Sequence, residues 1–195
     1  MIDIQELEQQ NLQNGYIYVF DYQDYNRQLL LDEAYSRQYE PFEVPMDDIN
    51  SDPNWFEIGK DVHMDNWTQA RFFGEQEDGS DNLDNYPETK RVTQIFADLI
   101  QTQDIRPRFY KLEANTSVPE HIDHNTKCGV NIILSKHAGP VEFVGQGTYD
   151  YRVALLNTSQ LHCVPSFPHE RILLKMSIMD VDFETAKQRI INNVR

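Results

Sequence analysis

From Arg106 to Asp180 the chain is a succession of short β-prone runs, and this feature limits the fold more than any other. The runs are "RFYKLEA", "KCGVNIILS", "VEFV", "YRVALLN", "LHCVP" and "RILLKMSIMD", and turn residues separate them at 115–117, 137–140, 145–147, 157–159 and 165–168. Branched and aromatic side chains suit a pleated, half-buried surface, and Gly, Pro and Asn end each run. Strands at such even spacing close into a sandwich or barrel. The expectation is a mainly β protein with six or seven strands in this stretch, to which "GYIYVF" (15–20) or "WFEIG" (55–59) adds more.

Helical spacing marks the flanks. "YNRQLLLDEAYSRQ" (25–38) reads as a helix, and "PETKRVTQIFADLIQTQ" (87–103) more clearly so. Pro87 suits a first helical position, and Val92, Ile95, Phe96, Leu99 and Ile100 form one apolar stripe facing a core. "DFETAKQRIINNVR" (182–195) reads as a closing helix capped by Asp182. The stretch 40–54, with three prolines, reads as loop. The acidic stretch 74–87 fails as a calcium loop: with Gly79 at the sixth position, Gly74 and Gln76 fall where oxygen anions are needed. At 195 residues the chain reads as one domain: a mixed α/β part (1–105) packing on the barrel, a core (106–180) and a C-terminal helix (181–195).

A net charge of −15 opposes nucleic acid and anionic membrane as partners. No apolar run approaches the roughly 18 residues of a membrane span, and the polar, acidic start "MIDIQELEQQ" is not a secretory signal. The two cysteines, Cys128 and Cys163, form no CxxC pair. Free thiols in a reducing cytoplasm are the expected setting, and there the sequons at Asn66, Asn115 and Asn157 carry no weight.

The chemistry gathers in "SVPEHIDHNTKCGVNIILS" (117–135). His121 and Asp123 are two apart, so on a strand their side chains share a face. Iron(II) in oxygen chemistry takes two neutral imidazoles and one carboxylate on one triangular face. A second histidine must then come from a later, neighbouring strand. His137 and His169 sit in turns, "SKHAGP" and "FPHER", whereas His162 lies in the strand-like run "QLHCV" and is the choice. Arg171 follows nine residues after His162, at the start of "RILLKMSI". An arginine entering a buried strand needs a partner for its charge, and a guanidinium is the natural bidentate partner of a ligand carboxylate.

His121 and Asp123, the distal His162, and Arg171 nine further on resemble the iron(II)- and 2-oxoglutarate-dependent dioxygenases. Within that family, "RFYKLEANTSVPEHID" is similar to the prolyl and aspartyl/asparaginyl hydroxylase branch. The likeness covers about residues 106 to 180; the first 105 match nothing recognised. It implies a double-stranded β-helix (jelly-roll) fold, with iron(II) held by His121, Asp123 and His162, and 2-oxoglutarate and dioxygen as co-substrates. It implies that Arg171 pairs with the far carboxylate of 2-oxoglutarate, helped by Tyr110, which stands eleven before His121. Its substrate would be a peptidyl Pro, Asp or Asn, or a free amino acid, hydroxylated at an unactivated C–H. The 38 residues between Asp123 and His162 leave a compact barrel with little room for lid insertions.

Other polar groups carry open alternatives. Asn131, mid-strand in "CGVNIIL", must find partners if buried: bound 2-oxoglutarate or a structural bond. His124 reads as surface, and Cys163 as a small core residue facing away from His162's side. If Arg171 faces the pocket, period-2 geometry turns Leu173, Lys175 and Ser177 inward and Ile172, Leu174, Met176 and Ile178 to the opposite layer. The rival function classes are a non-enzymatic cupin-like module binding a metal or small ligand, and an interaction protein whose histidines are incidental. The first of these leaves Arg171 unexplained.

Overall fold

The computed structural model describes residues 14–41, 67–71, 82–123 and 126–193. The possible strand at 55–59, most of the proline-bearing loop, the acidic stretch before residue 82 and His124 lie outside the described residues.

The chain runs β1 (Ile17–Val19), α1 (Arg27–Ser36), β2 (Glu40–Pro41), β3 (Trp67–Arg71), a 3-10 turn (Leu83–Asn85) and α2 (Pro87–Ile100). It continues through β4 (Ile105–Leu112), β5 (Val118–His121), β6 (Cys128–Ile133), β7 (Gly139–Phe143) and β8 (Gly147–Tyr151). β9 (Val153–Leu156), β10 (His162–Val164), β11 (Arg171–Ile178) and α3 (Phe183–Asn193) complete it. The stretch 106–180 thus holds eight strands where six or seven are expected. The extra ones arise because β8 and β9 divide at Arg152, and because the histidine-bearing "VPEH" pairs as a strand of its own.

Among the described residues every strand pairing is antiparallel, and the pairings build two sheets: β1-β9-β6-β11-β4-β3-β2 and β5-β10-β7-β8. The fold is a β-rich double-stranded β-helix, the jelly roll. The three helices among the described residues supply side chains to one core cluster with the larger sheet, including Leu30, Phe96, Ile100, Phe109, Leu174 and Ile190. A second cluster, with Ile133, Val141, Phe143, Tyr151 and Leu156, fills the space between the sheets. β11 shows why the two layers do not mix. Ile172, Leu174, Met176 and Ile178 join the helix-side core, while Arg171, Leu173 and Lys175 line the pocket on the other face. The alternation of the strand therefore places polar groups in the pocket and aliphatic groups in the core.

α2 ends at Ile100, three residues earlier than its spacing suggests, because Gln101 turns left-handed at φ 55° and the Thr102 N–H bonds back to Ala97 O. β3 is a strand that periodicity did not mark; it forms by pairing Gln69 with Tyr110 and Ala70 with Phe109 on β4. Glu40 and Pro41, placed in the proline-bearing loop, instead pair with β3 as a two-residue edge strand, where a missing N–H is tolerated. Asp182 caps α3 as expected, its carboxylate accepting from Thr185 N at 2.9 Å. Among the described residues no helix is long and apolar enough to cross a membrane.

Candidate metal and carboxylate site

β5 and β10 are neighbours in the smaller sheet, and their register sets His121 opposite His162. Directly opposed residues share a face, so the two buried imidazoles meet with ring centroids 4.3 Å apart. Each ring is fixed in the same way. His121 Nδ1 lies 2.7 Å from Pro119 O, and His162 Nδ1 lies 2.8 Å from Gln160 O. A carbonyl only accepts, so Nδ1 carries the proton and Nε2 keeps its lone pair for a metal.

Asp123 lies beyond the end of β5 rather than on the strand with His121. Its N–H donates to Thr158 O at 2.9 Å, and this bend still brings Oδ1 to 3.7 Å from His121 Nε2. One ligand atom from each of His121, Asp123 and His162 lies within 4.8 Å of the others. Two imidazole nitrogens and one carboxylate oxygen converging this way could hold a metal ion, and they match the donor set that non-haem iron(II) takes.

The electrostatics favour the ligating forms. Burial, then His162 nearby, pushes His121 down to about 4, and burial also lowers His162. Both rings are therefore neutral near pH 7. Burial opposes ionisation of Asp123, but the Lys175 ammonium beside it outweighs that and holds the carboxyl below its usual range.

The two histidines open on a pocket between the sheets, lined by apolar Leu112, Val118, Val141 and Leu156 and by a few polar groups. Arg171 is 2% exposed at one side of it. Its Nη1 donates to Pro140 O and its Nη2 to Tyr151 Oη, each at 2.6 Å. Gly139 lies against it: a Cβ there would stand 3.4 Å from Arg171 Nε. Asn131 Nδ2 also donates to Tyr151 Oη, at 3.0 Å. That hydroxyl accepts twice, and its own proton is left to donate. Asn131 Oδ1 and Arg171 Nε are buried without a partner among the described residues, and no carboxylate of those residues pairs with Arg171.

Tyr110 lines the same pocket, with its hydroxyl 3.3 Å from Arg108 Nη1. Its β11 neighbour is Leu173, one pocket-facing place from Arg171. The hydroxyl that meets Arg171 is that of Tyr151, which sequence reasoning missed. In "GTYDYRVALL" it reads as a core aromatic, and only the pairing of β7 with β8 carries it to the guanidinium. His137 and His169 stack on each other in exposed turns, centroids 3.9 Å apart, and take no part in the triad.

No protein-family model and no curated protein matches this sequence. Solved structures do match the fold. One is a 2OG-Fe(II) oxygenase family oxidoreductase from Burkholderia pseudomallei, with TM-score 0.54, 15% identity and 90% of each chain covered. Another is a prolyl hydroxylase from Trichoplax adhaerens in complex with a hypoxia inducible factor oxygen degradation domain peptide fragment. It has TM-score 0.54 and 9% identity, covering 100% of this chain and 99% of that one. At these identities the likeness is one of fold.

Proposed function

We propose that the protein is an iron(II)- and 2-oxoglutarate-dependent oxygenase that hydroxylates an unactivated C–H, with a peptidyl or free Pro, Asp or Asn as the substrate class. The observation that carries this reading is a triad of His121, Asp123 and His162 whose two histidines line an apolar pocket together with the buried Arg171. A guanidinium without a carboxylate in such a place is costly; a ligand carboxylate removes that cost. The solved structures of like fold are consistent with it.

The residues fit both groups. Iron(II) would be held by Nε2 of His121, Nε2 of His162 and Oδ1 of Asp123. The far carboxylate of 2-oxoglutarate would take Arg171 and the free proton of Tyr151, with Tyr110 and Asn131 as further lining groups. When bound, iron with 2-oxoglutarate and dioxygen supplies the oxidising power for hydroxylation, with succinate and carbon dioxide released. The chain's own work is orientation and exclusion of water. The two backbone carbonyls fix the imidazole tautomers, and Arg171, braced by Pro140 O and Tyr151, sets where the co-substrate ends. The aliphatic walls keep the reacting groups dry.

The test is an anaerobic visible spectrum of the protein with iron(II), before and after adding 2-oxoglutarate. Chelation of the 2-oxo acid produces a weak charge-transfer band, expected in the parent protein and absent in His162→Ala. Metal binding without any response to 2-oxoglutarate would instead favour a cupin-like binding module.

A further inference from the structure

Lys175 is a polar group of the pocket with no task assigned so far. It stands on the pocket face of β11, four residues beyond Arg171. Its ammonium donates to Oδ2 of Asp123, while Oδ1 of the same carboxylate faces His121. The side chain is 13% exposed, and the Tyr110 ring centroid lies 5.8 Å from Nζ. A cation beside the one carboxylate of a metal triad works against binding a dication, by simple repulsion. It is favourable if an anion arrives with the metal.

A second observation points the same way. Thr158 is 1% exposed, lines the pocket, and its Oγ1 has no partner among the described residues. Its carbonyl holds the Asp123 N–H, so it belongs to the metal end. Between it and Lys175 lies Gly129, where a Cβ would stand 3.7 Å from Lys175 Cε and 4.0 Å from Thr158 Cγ2. An ammonium has three N–H donors, and Asp123 takes one of them.

We infer that Lys175 and Thr158 form an anion subsite beside Asp123, which takes the metal-side carboxylate of the 2-oxo acid. This inference rests on the oxygenase reading and deepens it. At about 3.3 Å per residue, Arg171 and Lys175 lie about 13 Å apart along one strand face. A short dicarboxylate lying along β11 then meets a cation at each end, and Lys175 acts on Asp123 and the co-substrate together.

The experiment measures two dissociation constants, for Mn(II) alone and for 2-oxoglutarate at saturating Mn(II), by calorimetry. The proteins are the parent, Lys175→Gln, Lys175→Arg and Thr158→Val. Lys175→Gln should weaken 2-oxoglutarate about tenfold or more while Mn(II) binds as tightly as before or tighter. Lys175→Arg should keep 2-oxoglutarate within about threefold, and Thr158→Val should weaken it by a smaller factor. Unchanged 2-oxoglutarate binding in Lys175→Gln overturns the subsite. So does a joint loss of Mn(II) and 2-oxoglutarate, which would make Lys175 only a prop for Asp123. If the glutamine variant does not fold, unchanged 2-oxoglutarate binding in Thr158→Val overturns the subsite in its place. A parent protein that binds Mn(II) but no 2-oxoglutarate overturns the oxygenase reading, and the subsite with it.

Discussion

Tyr151 shows how much a single hydroxyl can organise. It accepts from Arg171 at 2.6 Å and from Asn131 at 3.0 Å, and both donors are buried. Tyr151→Phe keeps the ring and strips both donors of their acceptor. Leaving buried donors unpaired costs about 1–3 kcal/mol each, more for a charged one. A denaturant titration of the variant should therefore show a loss of roughly 2–3 kcal/mol, together with weaker 2-oxoglutarate binding; unchanged stability would remove its bracing role. His121, His162 and Arg171 were legible because each falls in or at the edge of a strand-like run; Asp123 was picked for sharing a strand face with His121, but it joins the group through a bend beyond β5. Tyr151 was not, since its role depends on which strands lie beside one another. The Lys175 orientation was legible for the opposite reason: β11 is regular through Lys175 and pairs without a bulge on both sides.

The helices α1 and α2 cap each other at the scale of elements. Tyr86 offers no side-chain cap to α2. Glu33 of α1 supplies one from afar, accepting from Glu88 N and Thr89 N at 2.8 Å each, and from the Thr89 hydroxyl at 2.6 Å. Glu88 returns the favour by accepting from Asn26 N at 2.6 Å, while Asn26 caps α1 itself. Removing an N-cap costs about 1 kcal/mol, up to 2. Glu33→Ala should lower stability by about that amount and leave metal affinity intact, as a thermal melt and a Mn(II) titration would show. Such a cap joins residues 55 and 56 apart, so no local motif announces it. β3 was hidden for a related reason. "WTQAR" lacks alternating apolar residues, and its strand character comes from pairing with β4.

Across the whole molecule the two sheets divide the labour. The smaller sheet carries both imidazoles on β5 and β10, and the larger carries Arg171 and Lys175 on β11. The site exists only when the sheets face each other, so ligand binding reports on global folding. At a hundred times its dissociation constant a metal stabilises by about 2.7 kcal/mol, a rise in melting temperature of roughly 5–10 °C for a chain of this size. His121→Ala should abolish that rise. The metal-free protein should itself lose stability with acid. His121 titrates at about 4 in the fold and near 6.5 when unfolded. Its contribution is thus complete above pH 6.5 and declines as pH falls towards 4, on the order of 3 kcal/mol in all. His162 and Asp123, both lowered, add in the same direction. Melting curves from pH 7.5 to 4 would show the decline; a flat profile would contradict the buried, neutral histidines.

The means by which both histidines are held has a consequence for how such a site persists over generations. Many metal sites orient a ligand through a carboxylate elsewhere in the chain, which one codon change can erase. Here the orienting atoms are main-chain oxygens of residues 119 and 160, and every amino acid carries that oxygen. The tautomers are thus insulated from point mutation in their surroundings. Drift can reshape the pocket around this histidine-bearing edge and alter what it accepts, long before it disturbs the edge itself.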